Sequence, residues 1–263
     1  MSGTRTGLLL PAVALWRREM TRFLRQKNRI VGALATPLVF WLLIGSGVGS
    51  TFQPPGAETD YLGYFFPGTV VLILLFTAIF STVSIIEDRR EGFLQGVLVA
   101  PVAPAAIVLG KCLGGMTLAA AQAALFCAVA PLAGLPMDGM VVARLVPALL
   151  VGGFALTALG FVVAWPLESA QGFHALMNIL LVPLWLLSGA LFPARPDSWM
   201  ALVVSVNPVA YVTASVRRAF YGDAAALGLV PSYATAMAVC AVFAAVMLMV
   251  CLRLVGRGRG GSQ

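Results

Sequence analysis

The sequence predicts an all-α integral membrane protein with six transmembrane helices, and three observations carry that reading. Of 263 residues, 60% are hydrophobic and only 10% charged, with a mean hydropathy of +0.95, whereas a soluble domain is about half apolar and a quarter charged. The apolar residues gather in runs close to the roughly 20 that cross about 30 Å of hydrocarbon as a helix. They do not form the short alternating segments of a membrane barrel. Lysine and arginine concentrate at alternate connections, as expected when positive loops stay cytoplasmic.

Spans are expected at about 30–48, 65–86, 112–132, 145–165, 175–191 and 233–252. They occupy nearly the whole chain and leave no stretch for a separate soluble catalytic domain, so 1–263 reads as a single transmembrane domain. Residues 1–29 form its N-terminal portion, 30–252 the six-span region and 253–263 a basic tail. The start lacks a small-x-small cleavage pattern after Leu15 and runs straight into Trp16, Arg17 and Arg18, which argues against a signal peptide.

Orientation follows from the positive residues. Arg5, Arg17, Arg18, Arg22, Arg25, Lys27 and Arg29 precede the first span, and Arg253, Arg257 and Arg259 follow the last. The first loop, with Glu58 and Asp60, has no Lys or Arg. Both termini are therefore expected in the cytoplasm. The isoelectric point near 9.8 is accounted for by topology and attraction to anionic lipid, with no need for nucleic acid.

Before the first span, residues 11–27 place Trp16, Met20, Phe23 and Leu24 on one helical face and Arg18, Arg22 and Arg25 on another. This is the pattern of an interface helix, its apolar side at the headgroup boundary and its arginines toward water and phosphates. A surface anchor and a second role in touching a cytoplasmic partner both fit it.

After the second span come five consecutive charges, Glu87, Asp88, Arg89, Arg90 and Glu91. Phe93, Leu94, Val97 and Leu98 then recur at helical spacing until Pro101 and Pro104 stop the helix. A short amphipathic helix on the cytoplasmic face is expected, with a turn before the third span. A second, smaller cytoplasmic contact is expected at Glu168, between spans four and five, where a solvated turn is the alternative. His174 beside it reads as a cap of the fifth helix or a headgroup contact. Cys112, Cys127, Cys240 and Cys251 lie in or beside spans without a CxxC or a nearby His, as small packing residues do.

The order of residues in "EDRREGFLQGVLVAPVAPAAIVLGK" resembles the stretch after the second span of ABC-2 type transporter permeases. There an acidic-basic cluster with Glu-Gly precedes a Leu-rich helix and Pro-Val. "LSGALFPARPDSWMALVVSVNPVAYVTASVRRAFYGD" is similar to that family's exit from span five, its Asn-Pro and the Arg that follows. "YLGYFFPGTVVLILL" resembles its Pro-Gly at the start of span two. The chain departs from the family at Ala103-Pro104, where many members carry Ser or Arg after Pro-Val.

The resemblance implies a permease that pairs with a second copy of itself and with separate cytoplasmic ABC ATPases, which hold ATP and Mg; this chain is expected to hold no cofactor or metal. Around Gly110-Lys111 the phosphate loop GxxxxGK[ST] fails, with Ala105 where the first Gly belongs and Cys112 after the Lys. The short helix, from about Arg90 to Val99, would be the coupling helix, with Phe93, Leu94 and Leu98 entering a cleft on the ATPase. The segment 192–220 reads as short external helices forming an outer gate, with Pro193, Asn207, Pro208, Tyr211 and Arg217, or as a simple cap.

An ion-driven carrier would place ionisable groups near a span centre, and an embedded enzyme would need a catalytic cluster; neither is visible. The expected function is ATP-driven export of an amphipathic drug or lipid-like solute across the cytoplasmic (inner) membrane. A polysaccharide or lipid-linked glycan is the alternative, for which aromatics such as Phe76, Phe80 and Trp185 would have to line the path. Thr77, Ser81, Thr82, Gln122, Thr157 and Asn178 are among the polar positions inside spans, suited to bonding neighbouring helices.

Overall fold

In a computed structural model, residues 7–25, 27–49, 61–100, 102–192, 199–223 and 229–260 are described. Among them the chain is an all-α membrane protein, with helices α1 Leu9–Leu24, α2 Lys27–Gly49, α3 Tyr61–Ser81, α4 Val83–Arg90, α5 Phe93–Val99, α6 Pro104–Cys127, α7 Gly139–Ala164, α8 Ala170–Leu186, α9 Trp199–Val206, α10 Pro208–Tyr221 and α11 Tyr233–Gly260. A short 3-10 turn, Ala130–Ala133, follows α6.

Helices occur at all six expected places. By length and composition, four of them can cross a membrane: 61–90, 104–127, 139–164 and 233–257. The helix α8 is shorter, and α9 and α10 are bent by 87° at Asn207. The two ends of the bundle differ in charge. One carries α1, α4, α5 and the α7–α8 connection, called here the basic end; the other carries the starts of α3 and α11 and the α8–α10 segment, called the far end.

The helix boundaries have local causes. Asp138 caps α7 by accepting from the Val141 N–H at 2.8 Å, and Ser169 caps α8 by accepting from Gly172. Ser169, not His174, therefore caps the fifth helix; His174 rests against the Phe80 ring at 4.9 Å. Pro104 is the first residue of α6, preceded by extended Ala103, so this helix starts about two turns before the expected span and carries Lys111 inside it. The last helix extends through residues expected in the tail.

From Tyr61 to Arg90 the second span is one 30-residue element, tightened locally at Thr82. At about 1.5 Å per residue it is some 45 Å long, half again the thickness of the hydrocarbon. Its charged end therefore clears the apolar layer. The core surrounds this helix: Phe65, Phe66, Val70, Val71, Leu74, Leu75, Ala78 and Ile79 are fully buried. Glycines let the neighbours close on it. A Cβ on Gly160 would sit 3.0 Å from the Ile79 Cα, and one on Gly115 would strike Ser81 and Thr157.

A candidate coupling site and an apolar cavity

The N-terminal helix is seated on α6 through two glycines. A Cβ on Gly110 would lie 2.6 Å from the Leu15 Cβ and one on Gly114 2.9 Å from the Glu19 Cβ. This Gly-x-x-x-Gly serves a contact within the chain. Ala12, Leu15 and Glu19 form the buried stripe of α1, and the Trp16 indole donates to Thr117 Oγ1 at 3.1 Å.

That seating places charged groups against one another. Lys111, 5% exposed, donates to Glu19, to Ser84 Oγ at 3.1 Å and to Asp88, whose carboxylate is completely buried. Arg18 reaches the Asp88 carboxylate at 2.8 Å, and Arg22 bridges Asp88 at 3.1 Å and Glu87 at 2.7 Å. Glu91, more exposed, lies at 3.7 Å from Arg22. The expectation that Arg18 and Arg22 face lipid phosphates is corrected: they face the carboxylates of α4, because α6 carries Lys111 into contact with both helices. Arg25 remains exposed. Glu19 and Lys111 were not singled out as site residues. Their helical register against Asp88 exists only across three helices, and no local spacing shows it.

The run of five charges thus divides its work. Its carboxylates turn to α1 and α6, while its arginines fasten the α7–α8 connection. Arg89 donates to the carbonyls of Trp165 and Leu167, with its guanidinium 5.3 Å from the Trp165 ring, and Arg90 donates to the carbonyl of Glu168 at 3.0 Å. The expected second contact at Glu168 lies beside the first through its backbone, with its side chain exposed.

Gly92 explains the Glu-Gly pair. With φ of 76° it follows the C-terminus of α4 in the left-handed region, where any other residue is strained, and it turns the chain into α5. The short helix therefore starts at Phe93 rather than Arg90. Phe93 lies under the Arg18 guanidinium at 3.8 Å and is half-buried. Leu94 is 2% exposed and belongs to the chain's own core, which corrects the expectation that it enters a partner's cleft. Glu91, Gly92, Gln95 and Gly96 are exposed instead. The Leu98 side chain and Pro101 lie outside the described residues, as does Pro193. Beside Glu91 an open groove of about 830 Å³ runs along α1, lined by Leu10, Val13, Arg17, Thr21 and Arg25 among others.

At the far end, the residues expected to form a gate act as struts. Asn207 donates to the carbonyl of Leu184 at 2.6 Å and accepts from the Val209 N–H, which lets Pro208 open α10 at the corner. Arg217, 2% exposed, donates to the carbonyls of Gly189 and Ala190 and lies 4.3 Å above the Tyr64 ring. Tyr211 donates to Ser205 within the same segment. The α10 helix is not a surface cap: most of its residues are buried, against α3, α7 and α11.

Between these ends lies a cavity of about 540 Å³. Phe40, Leu72, Phe76, Phe80, Val182 and Trp185 are among the apolar residues of its wall, with Thr36, Thr77, Ser81 and Gln122 as polar members. The three aromatics singled out in the sequence, Phe76, Phe80 and Trp185, therefore meet at one space. Phe40 and Trp185 of this wall pack with Phe65 behind them, ring centroids 6.0 to 6.2 Å apart. The Trp185 indole is fixed by donation to the Gly68 carbonyl at 2.8 Å. Among the described residues no group of three or more His, Cys, Asp or Glu could hold a metal.

A family model described as ABC-2 type transporter matches residues 12–221. The chain is 26% identical over 219 residues to the daunorubicin resistance ABC transporter permease protein DrrB1 of Streptomyces coeruleorubidus, covering 80% of this chain and 74% of that one. It is 27% identical over 224 residues to nodulation protein J of Neorhizobium galegae, with 81% and 82% covered. To the probable multidrug ABC transporter permease YbhR of Escherichia coli strain K12 it is 23% identical over 168 residues, which are 63% of this chain and 45% of that one.

Proposed function

The chain belongs to the ABC-2 type transporter family, as a permease of an ABC transporter, and from that premise we propose that it exports an amphipathic drug or lipid-like solute, driven by a separate ATPase. The basic end faces the cytoplasm, with both termini there, in the cytoplasmic (inner) membrane. Two copies of the permease pair with ATPase subunits, which bind ATP and Mg and supply the energy of hydrolysis.

One observation carries this reading: a single long helix forms both the cavity wall and the charged joint. Leu72, Phe76, Thr77, Phe80 and Ser81 line the cavity, and Glu87 and Asp88, two turns further along, enter the ion-pair cluster. A displacement applied at Glu91, Gly92 and Gln95 therefore passes along α4 into the wall of the cavity. The buried Asp88–Lys111–Glu19 joint makes α1, α4 and α6 move together, and the hold of Arg89 and Arg90 on the α7–α8 connection adds α7 and α8. A ligand shifts a conformational equilibrium only through its different affinity for the two states, so the ATPase contact must persist in both. The open groove along α1, beside Glu91, offers the ATPase a second foothold of leucine, valine and arginine.

The apolar wall supports the drug or lipid class over a glycan. Among the described residues it has four with polar side chains other than tryptophan, and three of these hydrogen-bond to protein: Thr77, Ser81 and Gln122. A sugar's hydroxyls would lose water there without replacement.

The test is reconstitution with the ATPase in proteoliposomes. Glu91→Lys and Gly92→Trp are expected to abolish solute-stimulated ATP hydrolysis and export together while the complex still assembles. Unchanged stimulation and export in both variants, or uphill transport by the permease alone, would refute the proposal.

A further inference from the structure

Inside the cavity wall one buried group lacks a partner. Gln122, in the middle of α6, is 4% exposed, and its Oε1 accepts from the Thr77 hydroxyl. Its Nε2 has no hydrogen-bond partner. The other buried polar side chains of the wall are committed: the Thr77 hydroxyl to Gln122, and the Trp185 indole N–H to the Gly68 carbonyl. A buried amide N–H₂ without an acceptor costs free energy in any protein, and more where no water can reach it. Among the described residues the wall contains no Asp, Glu, Lys, Arg or His.

We propose that Gln122 reads the solute: its amide donates to a carbonyl or ether oxygen of a flat, neutral aromatic molecule held among Phe40, Phe76, Phe80 and Trp185. This rests on the cavity being the transport site. The chemistry follows from the lining. Aromatic rings accept a planar solute by stacked and edge contacts. An orphan donor selects an acceptor, and a site built around one discriminates against an otherwise identical molecule lacking it. A net charge would be desolvated in the cavity without a counter-charge. The volume of about 540 Å³ lies within the range of small-molecule sites. Thr77 is the positioning residue, since its hydroxyl holds the amide oxygen and leaves the nitrogen, itself buried in the wall, as the free donor.

The experiment uses two probes that differ at one carbon, 9-fluorenone and fluorene. Binding of each, tritium-labelled, is measured to the full chain in lipid nanodiscs and corrected for partition into empty nanodiscs. Wild type is expected to favour fluorenone about 3- to 10-fold, the worth of one neutral hydrogen bond. Gln122→Leu should remove that preference by weakening fluorenone alone, and Thr77→Val, which leaves the amide in place but unanchored, should reduce it. Leu72→Trp, which fills the cavity, should abolish binding of both probes. A preference that persists in Gln122→Leu, while Leu72→Trp abolishes binding, overturns the role of Gln122 and leaves the cavity standing. Binding of both probes that survives Leu72→Trp overturns the cavity itself. Equal affinity of wild type for the two probes also overturns the proposal.

Discussion

Lys111 and Arg217 are buried at opposite ends of the bundle and are neutralised in different ways. Lys111 meets two carboxylates, Glu19 and Asp88, with Arg18 and Arg22 balancing the second of them. Arg217 has no ion pair among the described residues; the carbonyls of Gly189 and Ala190 and the face of Tyr64 surround it. The first joint is built of formal charges that come from three helices and need one another. The second is built of carbonyl dipoles in the turn that follows α8. Removing a member of the first strands a buried charge, whereas removing the cation of the second strands only carbonyls. Loss of one member is therefore expected to cost more at the basic end than at the far end.

The largest expected effect tests that contrast directly. Lys111→Met leaves the buried Glu19 without its close cation and Asp88 with only the part-exposed Arg18 and Arg22, and should cost about 3–5 kcal/mol of stability, read by denaturant titration in mild detergent. Adding Glu19→Gln and Asp88→Asn should return most of the loss. If Lys111→Met alone were as stable as wild type, the contrast between the two ends would disappear. Next, Arg217→Met should cost about 2 kcal/mol, the loss of hydrogen bonds from a charged donor. Arg217→Lys should restore less than half, since a point charge cannot fork between two carbonyls.

A smaller effect sharpens the picture of how the basic end is assembled. Gly110→Val should displace α1 from α6 at a cost of about 1–3 kcal/mol. Maleimide labelling of an Ala12→Cys reporter, buried in the parent, should rise with it. Smallest of all, Arg22→Gln breaks a pair that is itself part-exposed, and should cost about 0.2–1 kcal/mol and less in high salt. A cost for Arg22→Gln as large as that for Lys111→Met would show that the cluster is not graded by burial.

Much of the fold was legible because the spans are long. The helix starts were less so: α6, α7 and α8 begin at Pro104, Gly139 and Ala170, ahead of the expected 112, 145 and 175, and the cap of α8 is Ser169 rather than the expected His174. The site was legible in part. The charge run and Gly92 stood out by their order, and Phe76, Phe80 and Trp185 by their type. Leu94 was misassigned because an apolar residue on a short helix reads the same whether it faces its own core or a partner. The burial of Arg217 was not legible, because the Arg217-Arg218 pair near a span end gives no sign of which side chain turns inward.

The sequence by itself determined that this chain is a bundle of membrane helices with its positive charge gathered at one end, since hydropathy and charge act residue by residue on transfer to lipid. Only the tertiary structure decided which charges pair and which aromatics share a space. Glu19, Asp88 and Lys111 are up to 92 positions apart, and Phe76 and Trp185 belong to different spans. Short-range interactions such as ion pairs and ring contacts depend on distances of a few ångströms, and those are set by where glycines such as Gly110, Gly114 and Gly160 let one helix approach another.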